Sequence, residues 1–180
     1  MADEQLILVD EGNRAVGTGG KMAVHRAGLL HRAFSIFLVD ERGRLLLQQR
    51  NKGKYHSGGL WANSCCGHPR PGERTLSAAR RRLHEELGVA SDLSFGFFAR
   101  YRCDLDHSMQ ENELVYVYFG ALRGPLRPDP AEVSKVESLD LGDLKGRIGR
   151  KPGAFAAWLR HYVHNHHAEI KRNIGKIAAR

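Results

Sequence analysis

The chain has 180 residues, with 28 Lys and Arg against 20 Asp and Glu and a formal net charge of +8. That length suits one domain able to bury a core without disulfides or a structural metal, and the charge favours anionic partners: phosphorylated metabolites, nucleic acid or an anionic membrane. No apolar run reaches membrane-spanning length, residues 1–20, with Asp3, Glu4, Asp10 and Glu11, lack the start of a signal peptide, and three cysteines with two adjacent cannot form a secreted disulfide framework, so a reducing cytoplasm is the expected setting.

Leu6–Val9 predicts a short strand closed by Glu11, Gly12 and Asn13. Strands are expected at Ala33–Val39 and Leu45–Arg50, joined by a hairpin turn over Asp40–Arg44, and Lys52–Gly59 reads as a polar loop. A helix is expected over Thr75–Leu87, because Leu76, Ala79, Leu83 and Leu87 recur at helical steps and Gly88 follows in the favoured terminating position; its start falls at Arg74 or Thr75. Phe95–Cys103 and Leu114–Ala121 have strand composition, and Pro125, Pro128 and Pro130 mark a loop. Ser138–Ile148 suggests a short helix after a strand. Phe155–His167 predicts a stronger helix with Trp158 and Tyr162 facing inward, and its histidines 161, 164, 166 and 167 are expected to be solvated. In the basic tail, residues 168–180, Lys171, Arg172, Lys176 and Arg180 accompany Ile170, Ile174 and Ile177 at helical spacing, as in a terminal amphipathic helix docked on the domain. The sum is one mixed α+β domain over residues 1–180 with a separate N-terminal segment, 1–20.

The densest signal starts at Asn63-Ser64-Cys65-Cys66-Gly67-His68-Pro69. From Gly67, five residues lead to Glu73 and seven more to Arg81-Arg82-Leu83-His84-Glu85-Glu86-Leu87-Gly88-Val89. This run resembles the Nudix box of diphosphate-handling enzymes, except that Arg82 stands where a Nudix hydrolase carries glutamate. Residues 82 and 86 share one helical face. A guanidinium there cannot coordinate a cation, but its planar fork suits a pair of phosphate oxygens. With the Asn-Ser-x-Cys-Gly-His-Pro run, the chain is similar to the type I isopentenyl-diphosphate isomerases within the Nudix family.

Glu111 and Glu113 alternate around Asn112 ahead of the strand expected near Leu114, so both carboxylates point to one face and need a cation, a proton or a basic partner. The resemblance implies the Nudix α/β/α sandwich with a mixed sheet and extra terminal segments. It also implies one divalent metal held by His25, His31, His68, Glu111 and Glu113, a donor set suited to a transition metal such as manganese or zinc, with magnesium a further candidate. Cys66 and Glu113 are then the acid and base on opposite faces of the substrate, with Tyr101 beside Glu113 and Trp158 facing a carbocation. Lys21, Arg50, Lys54 and Arg82, with Ser64 and Asn63 near by, are implied to bind the diphosphate. Glu86, with Glu85 as the neighbouring alternative, would share a magnesium ion with substrate oxygens. Cys65 reads as packing.

The activity so implied moves a double bond by adding one proton to carbon and removing another. A small-molecule diphosphate is the expected partner, without nucleic acid or membrane insertion, for a monomer or weak dimer. Two rivals explain less. A diphosphate hydrolase uses Glu73, Glu85 and Glu86 but gives no role to Cys66 or the histidines, and a nucleic-acid-binding module explains only the charge.

Overall fold

The computed structural model describes residues 4–105 and 108–179; Asp3 and Arg180 lie outside them. The strands are β1 (Gln5–Val9), β2 (Ala15–Gly20), β3 (His31–Val39), β4 (Leu45–Arg50), β5 (Trp61–Asn63), β6 (Cys65–Gly67), β7 (Ser94–Asp104), β8 (Gln110–Ala121) and β9 (Val133–Leu139). The helices are α1 (Lys21–Ala27), α2 (Thr75–Leu87), α3 (Leu141–Arg150), α4 (Ala157–Asn165) and α5 (His167–Ala178).

β3 organises the sheet. It runs parallel to β8 and antiparallel to β1, β4 and β6, while β7 continues antiparallel from β8. A strand buried on both faces reads as a nearly unbroken apolar run, and the two sets of alternate β3 residues enter different cores. Ala33, Phe37 and Val39 join Trp158, Leu159, Tyr162 and Ile170 from α4 and α5. Phe34, Ile36 and Leu38 join Ala78, Ala79, Leu83 and Leu87 from α2. Helices therefore cover both faces of a mixed sheet, as the α+β reading requires. The even-numbered partner of this pattern includes Cys65, fully buried in the α2-side core, which agrees with a packing role.

The expected strands at Leu6, Ala33, Leu45, Phe95 and Leu114 all form, and α2 has the expected bounds, with Gly88 left-handed at its end (φ +66). The tail forms α5, burying Ile170 and Ile177; each such side chain contributes about 1.5–3 kcal/mol on removal from water. Three expectations change. The strand expected near Leu114 begins at Gln110, so Glu111 and Glu113 lie within it. The helix expected to run to His167 breaks at His166, and a second one starts there. The histidines are not all solvated: His166 stacks on Phe97 at 4.7 Å and His161 lies 5.5 Å from the Tyr101 ring, because this end of α4 packs on β7. The elements without a sequence signal include β2, whose glycines disfavour strand, the seven-residue α1 and the three-residue strands β5 and β6.

Candidate active site

Strand register gathers the buried charges. His31 on β3 lies opposite Glu113 on β8, and Tyr101 and Cys103 on β7 lie opposite Glu113 and Glu111. α1 adds His25. That short helix ends at Gly28, whose left-handed φ of +61° favours glycine. β6 leads directly into His68.

Nδ1 of His25 contacts Lys21 O at 2.7 Å, and Nδ1 of His31 contacts Leu29 O at 2.8 Å. A carbonyl only accepts, so both Nδ1 atoms carry a proton and both Nε2 atoms turn inward. There the two Nε2 atoms, His68 Nδ1 and Glu111 Oε2 are buried without a hydrogen-bond partner. Ligand atoms of His25, His31, His68 and Glu113 all lie within 4.8 Å of one another, as do those of His25, His56 and Glu111. Orphaned buried polar atoms are costly, and a cation bound by this nitrogen and oxygen set would satisfy them, so the residues fit a divalent metal.

The electrostatics agree. Burial, and then the neighbouring Glu113 charge, pushes Glu111 up to about 7. Burial works the same way on Glu113, but the neighbouring imidazoles of His31 and His68, with Nε2 atoms 3.5 and 3.0 Å from its Oε1, outweigh it and hold that carboxyl well below the usual range. Burial takes His68 down to about 4, which keeps its ring neutral and available as a ligand. Tyr101 Oη donates to Glu113 Oε2 at 2.7 Å, and Glu113 Oε1 lies 3.0 Å from His68 Nε2.

A cavity of about 550 Å³ opens beside this cluster, lined by Cys66, Glu111, Glu113, Tyr101 and Trp158 and also by Lys21, Arg50, Lys54, Arg82 and Glu86. Cys66 is half-buried, and burial pushes its thiol up to about 12. Trp158 Nε1 donates to Asn63 Oδ1 at 3.1 Å, which fixes the indole plane, and the Arg50 guanidinium sits 5.3 Å from its ring centroid. Three of the four cations are paired: Lys21 with Glu4 at 2.8 Å, Lys54 with Glu132, and Arg82 with both Glu85 at 2.8 Å and Glu86. Arg50 has no carboxylate partner among the described residues.

Ser64 is not brought to the cavity. Its hydroxyl donates to Leu46 O at 2.7 Å and accepts from Leu38 N–H at 2.8 Å, so it ties β4 to β3 beneath the site with nothing left for a ligand. Arg81 bonds chiefly to Glu73, at 2.8 and 2.9 Å.

The NUDIX domain model matches residues 29–164. The chain belongs to the Nudix family. Among curated Nudix relatives, Isopentenyl-diphosphate Delta-isomerase 1 of Aromatoleum aromaticum is 47% identical over 87% of this chain and 89% of its own length. The Isopentenyl-diphosphate Delta-isomerase of Burkholderia multivorans is 48% identical over the same shares, and that of Streptomyces avermitilis 47% identical over 85% of this chain and 78% of its own. The Nudix fold is matched by a Deinococcus radiodurans crystal structure with a TM-score of 0.75 at 22% identity, covering 89% of this chain and 98% of that one.

Several residues of this Nudix site escaped the sequence reading. His56 lies in the loop read as merely polar, yet it is buried, lines the cavity and places Nε2 3.5 Å from Glu111 Oε1; burial, then Arg50, takes it down to about 2. Tyr55 lies under Lys21, whose Nζ is 5.1 Å from the ring centroid. A lone histidine in a glycine-bearing loop gives no periodicity to reveal either position. Ser35 on β3, second neighbour of an apolar core position, was likewise unmarked.

Proposed function

We propose that the protein interconverts isopentenyl and dimethylallyl diphosphate, adding a proton at C4 and removing one from C2 through a tertiary carbocation at C3. The observation that carries this reading is that Cys66 and Glu113 line one cavity together with the four cations Lys21, Arg50, Lys54 and Arg82. Relatives with the isomerase name, 47% identical over most of the chain, support it. The acid and base are Cys66 and Glu113. His25, His31, His68, Glu111 and Glu113 would hold a divalent ion, whether manganese, zinc or magnesium, and its positive charge would make the Glu113 carboxyl a stronger acid toward carbon.

The other residues follow from their contacts. Tyr101 holds Glu113 by a hydrogen bond to its second oxygen. Trp158, fixed by Asn63, offers its ring to the carbocation, worth about 2 kcal/mol when desolvated. Lys21, Arg50, Lys54 and Arg82 take the diphosphate, Arg50 needing no exchange of partner. Arg82 and Glu86 are paired with each other, which suits a substrate carrying magnesium: Arg82 would bind phosphate oxygens, and Glu86 would be the carboxylate to help hold the ion. Ser64 supports this wall from behind.

The remaining expectations are kept as part of this proposal. The protein is a monomer or weak dimer, since one chain supplies every residue given a role. It works on a small molecule and not on nucleic acid, since four of its cations turn into the cavity. Cys65, Cys66 and Cys103 are all free thiols, which supports a reducing cytoplasm, and no helix among the described residues is long and apolar enough to cross a membrane.

Proton NMR of isopentenyl diphosphate with the purified protein and added metals in deuterated water, run beside a phosphate-release assay, tests the reading. Deuterated dimethylallyl product without phosphate release is expected. An unchanged alkene with every metal, or phosphate release, would overturn it in favour of hydrolysis.

A further inference from the structure

Behind Cys66 lies a buried polar chain that the reaction as described leaves without a role. Ser35 on β3 is in register with Cys66 on β6, and its Oγ lies 3.4 Å from the Cys66 sulfur and 2.9 Å from the Tyr162 hydroxyl. Ser35 and Tyr162 are 2% and 0% exposed. On its other side the sulfur lies 3.2 Å from Asn63 Oδ1. These two are the hydrogen-bond partners of the sulfur among the described residues.

The direction of every bond in the chain can be worked out. Asn63 Nδ2 faces two carbonyls, Ile36 O and Cys65 O, each at 3.0 Å, and its other amide atom faces Trp158 Nε1, which only donates. Asn63 Oδ1 is therefore the oxygen, the amide cannot turn over, and toward the sulfur it only accepts. The single thiol proton goes to Asn63. Ser35 must then donate to the sulfur, which leaves the Ser35 oxygen to accept from Tyr162. Trp158 and Tyr162 are four apart on α4 and project from one face of it, so that helix sets both ends of the chain.

From this polarity we propose that Ser35 and Tyr162 are positioning residues of the isomerisation, acting together on the sulfur of Cys66. The inference rests on the reading of Cys66 as a proton carrier. When the sulfur has given its proton to carbon it bears negative charge. Asn63 Oδ1 then faces it as a second acceptor, and the Ser35 hydroxyl, itself polarised by Tyr162, is the donor that remains. Such a donor matters most when charge is present, so the pair acts on turnover and not on diphosphate binding.

The test is a double-mutant cycle with Ser35→Ala, Tyr162→Phe and the double variant, each read by NMR for kcat and KM. Ser35→Ala should lower kcat by roughly ten- to a hundredfold, the range for losing a hydrogen bond to a charged group, with KM unchanged. Tyr162→Phe should lower kcat less, and in the Ser35→Ala background it should have no further effect, because it acts through Ser35. Effects that multiply in the double variant, or equal losses in kcat and KM, would overturn the proposal.

A second readout does not depend on turnover. The S–H stretch of Cys66, isolated as the infrared difference between wild type and Cys66→Ala, should move to higher frequency in Ser35→Ala, since an S–H that no longer accepts a bond donates more weakly. An unmoved band would also refute it. If Cys66→Ala itself keeps full activity, the reading of Cys66 fails. If Cys66→Ala is inactive while both hydroxyl variants turn over normally, only the positioning proposal fails.

Discussion

Replacing Arg82 by leucine separates the ion pair it makes in the structure from the phosphate contact proposed for it. Arg82 pairs with Glu86, which is only 5% exposed, and without it that carboxylate is left with neutral partners, among them the Gln48 Nε2 hydrogen bond at 3.0 Å. Breaking a fully buried pair costs about 3–5 kcal/mol. Here the guanidinium is 22% exposed and faces a cavity, which reduces the expected loss to about 1–2 kcal/mol. At about 2–4 °C per kcal/mol for a chain of this size, Tm should fall by about 2–8 °C. The diphosphate loses a forked, charge-assisted contact of about 1.5–3 kcal/mol, so KM should rise roughly ten- to a hundredfold. Adding Glu86→Gln removes the stranded charge, and most of the Tm loss should return while KM stays high. Steady-state kinetics and thermal melts on the two proteins suffice. A KM unchanged in Arg82→Leu, or one that recovers together with Tm, would refute the claim that Arg82 binds phosphate.

Cys66→Ala should abolish isomerisation, by at least about a thousandfold, while a diphosphate product analogue still binds in calorimetry; retained turnover would remove Cys66 from the mechanism. Stripping with a chelator should stop turnover and lower Tm, by about 2.7 kcal/mol of linked stability for metal at a hundred times its Kd; a melt that never responds to metal would count against the histidine and glutamate site. Glu73 is held down to about 2 by hydrogen bonds from Arg81. Its folded value lies below its unfolded one, so its contribution is present above about 4.5 and disappears as pH falls toward about 2. Melts of wild type and Glu73→Gln should therefore differ near neutrality and converge over that interval, and a constant difference would show that the Arg81 contact does not stabilise the fold.

Much of this was legible in the chain itself. The period of Leu76, Ala79, Leu83 and Leu87 with a following Gly88 located α2, and the apolar runs located β3, β4, β7 and β8, because helix and strand impose different spacings on the residues that must be buried. Cys66, His68, Glu86 and Arg82 were marked by short-range spacing, since the loop and helix that carry them form one local unit. Where that spacing was absent, so was the signal: β2 is rich in glycine, α1 is two turns long, and His56 sits in an irregular loop.

Sequence by itself therefore determined the regularly patterned elements, the family and the residue types able to do the chemistry. Tertiary structure alone decided what those residues meet. Nothing in the order of residues says that His31 and Tyr101 both face Glu113; strand register decides that across three strands. Nor does local order reveal that Ser64 spends its hydroxyl on two strands, or that Tyr162 on α4 reaches Ser35 behind Cys66. Hydrogen bonds between groups distant in the chain depend on how the layers close over one another, and layer packing fixes positions that no local period encodes.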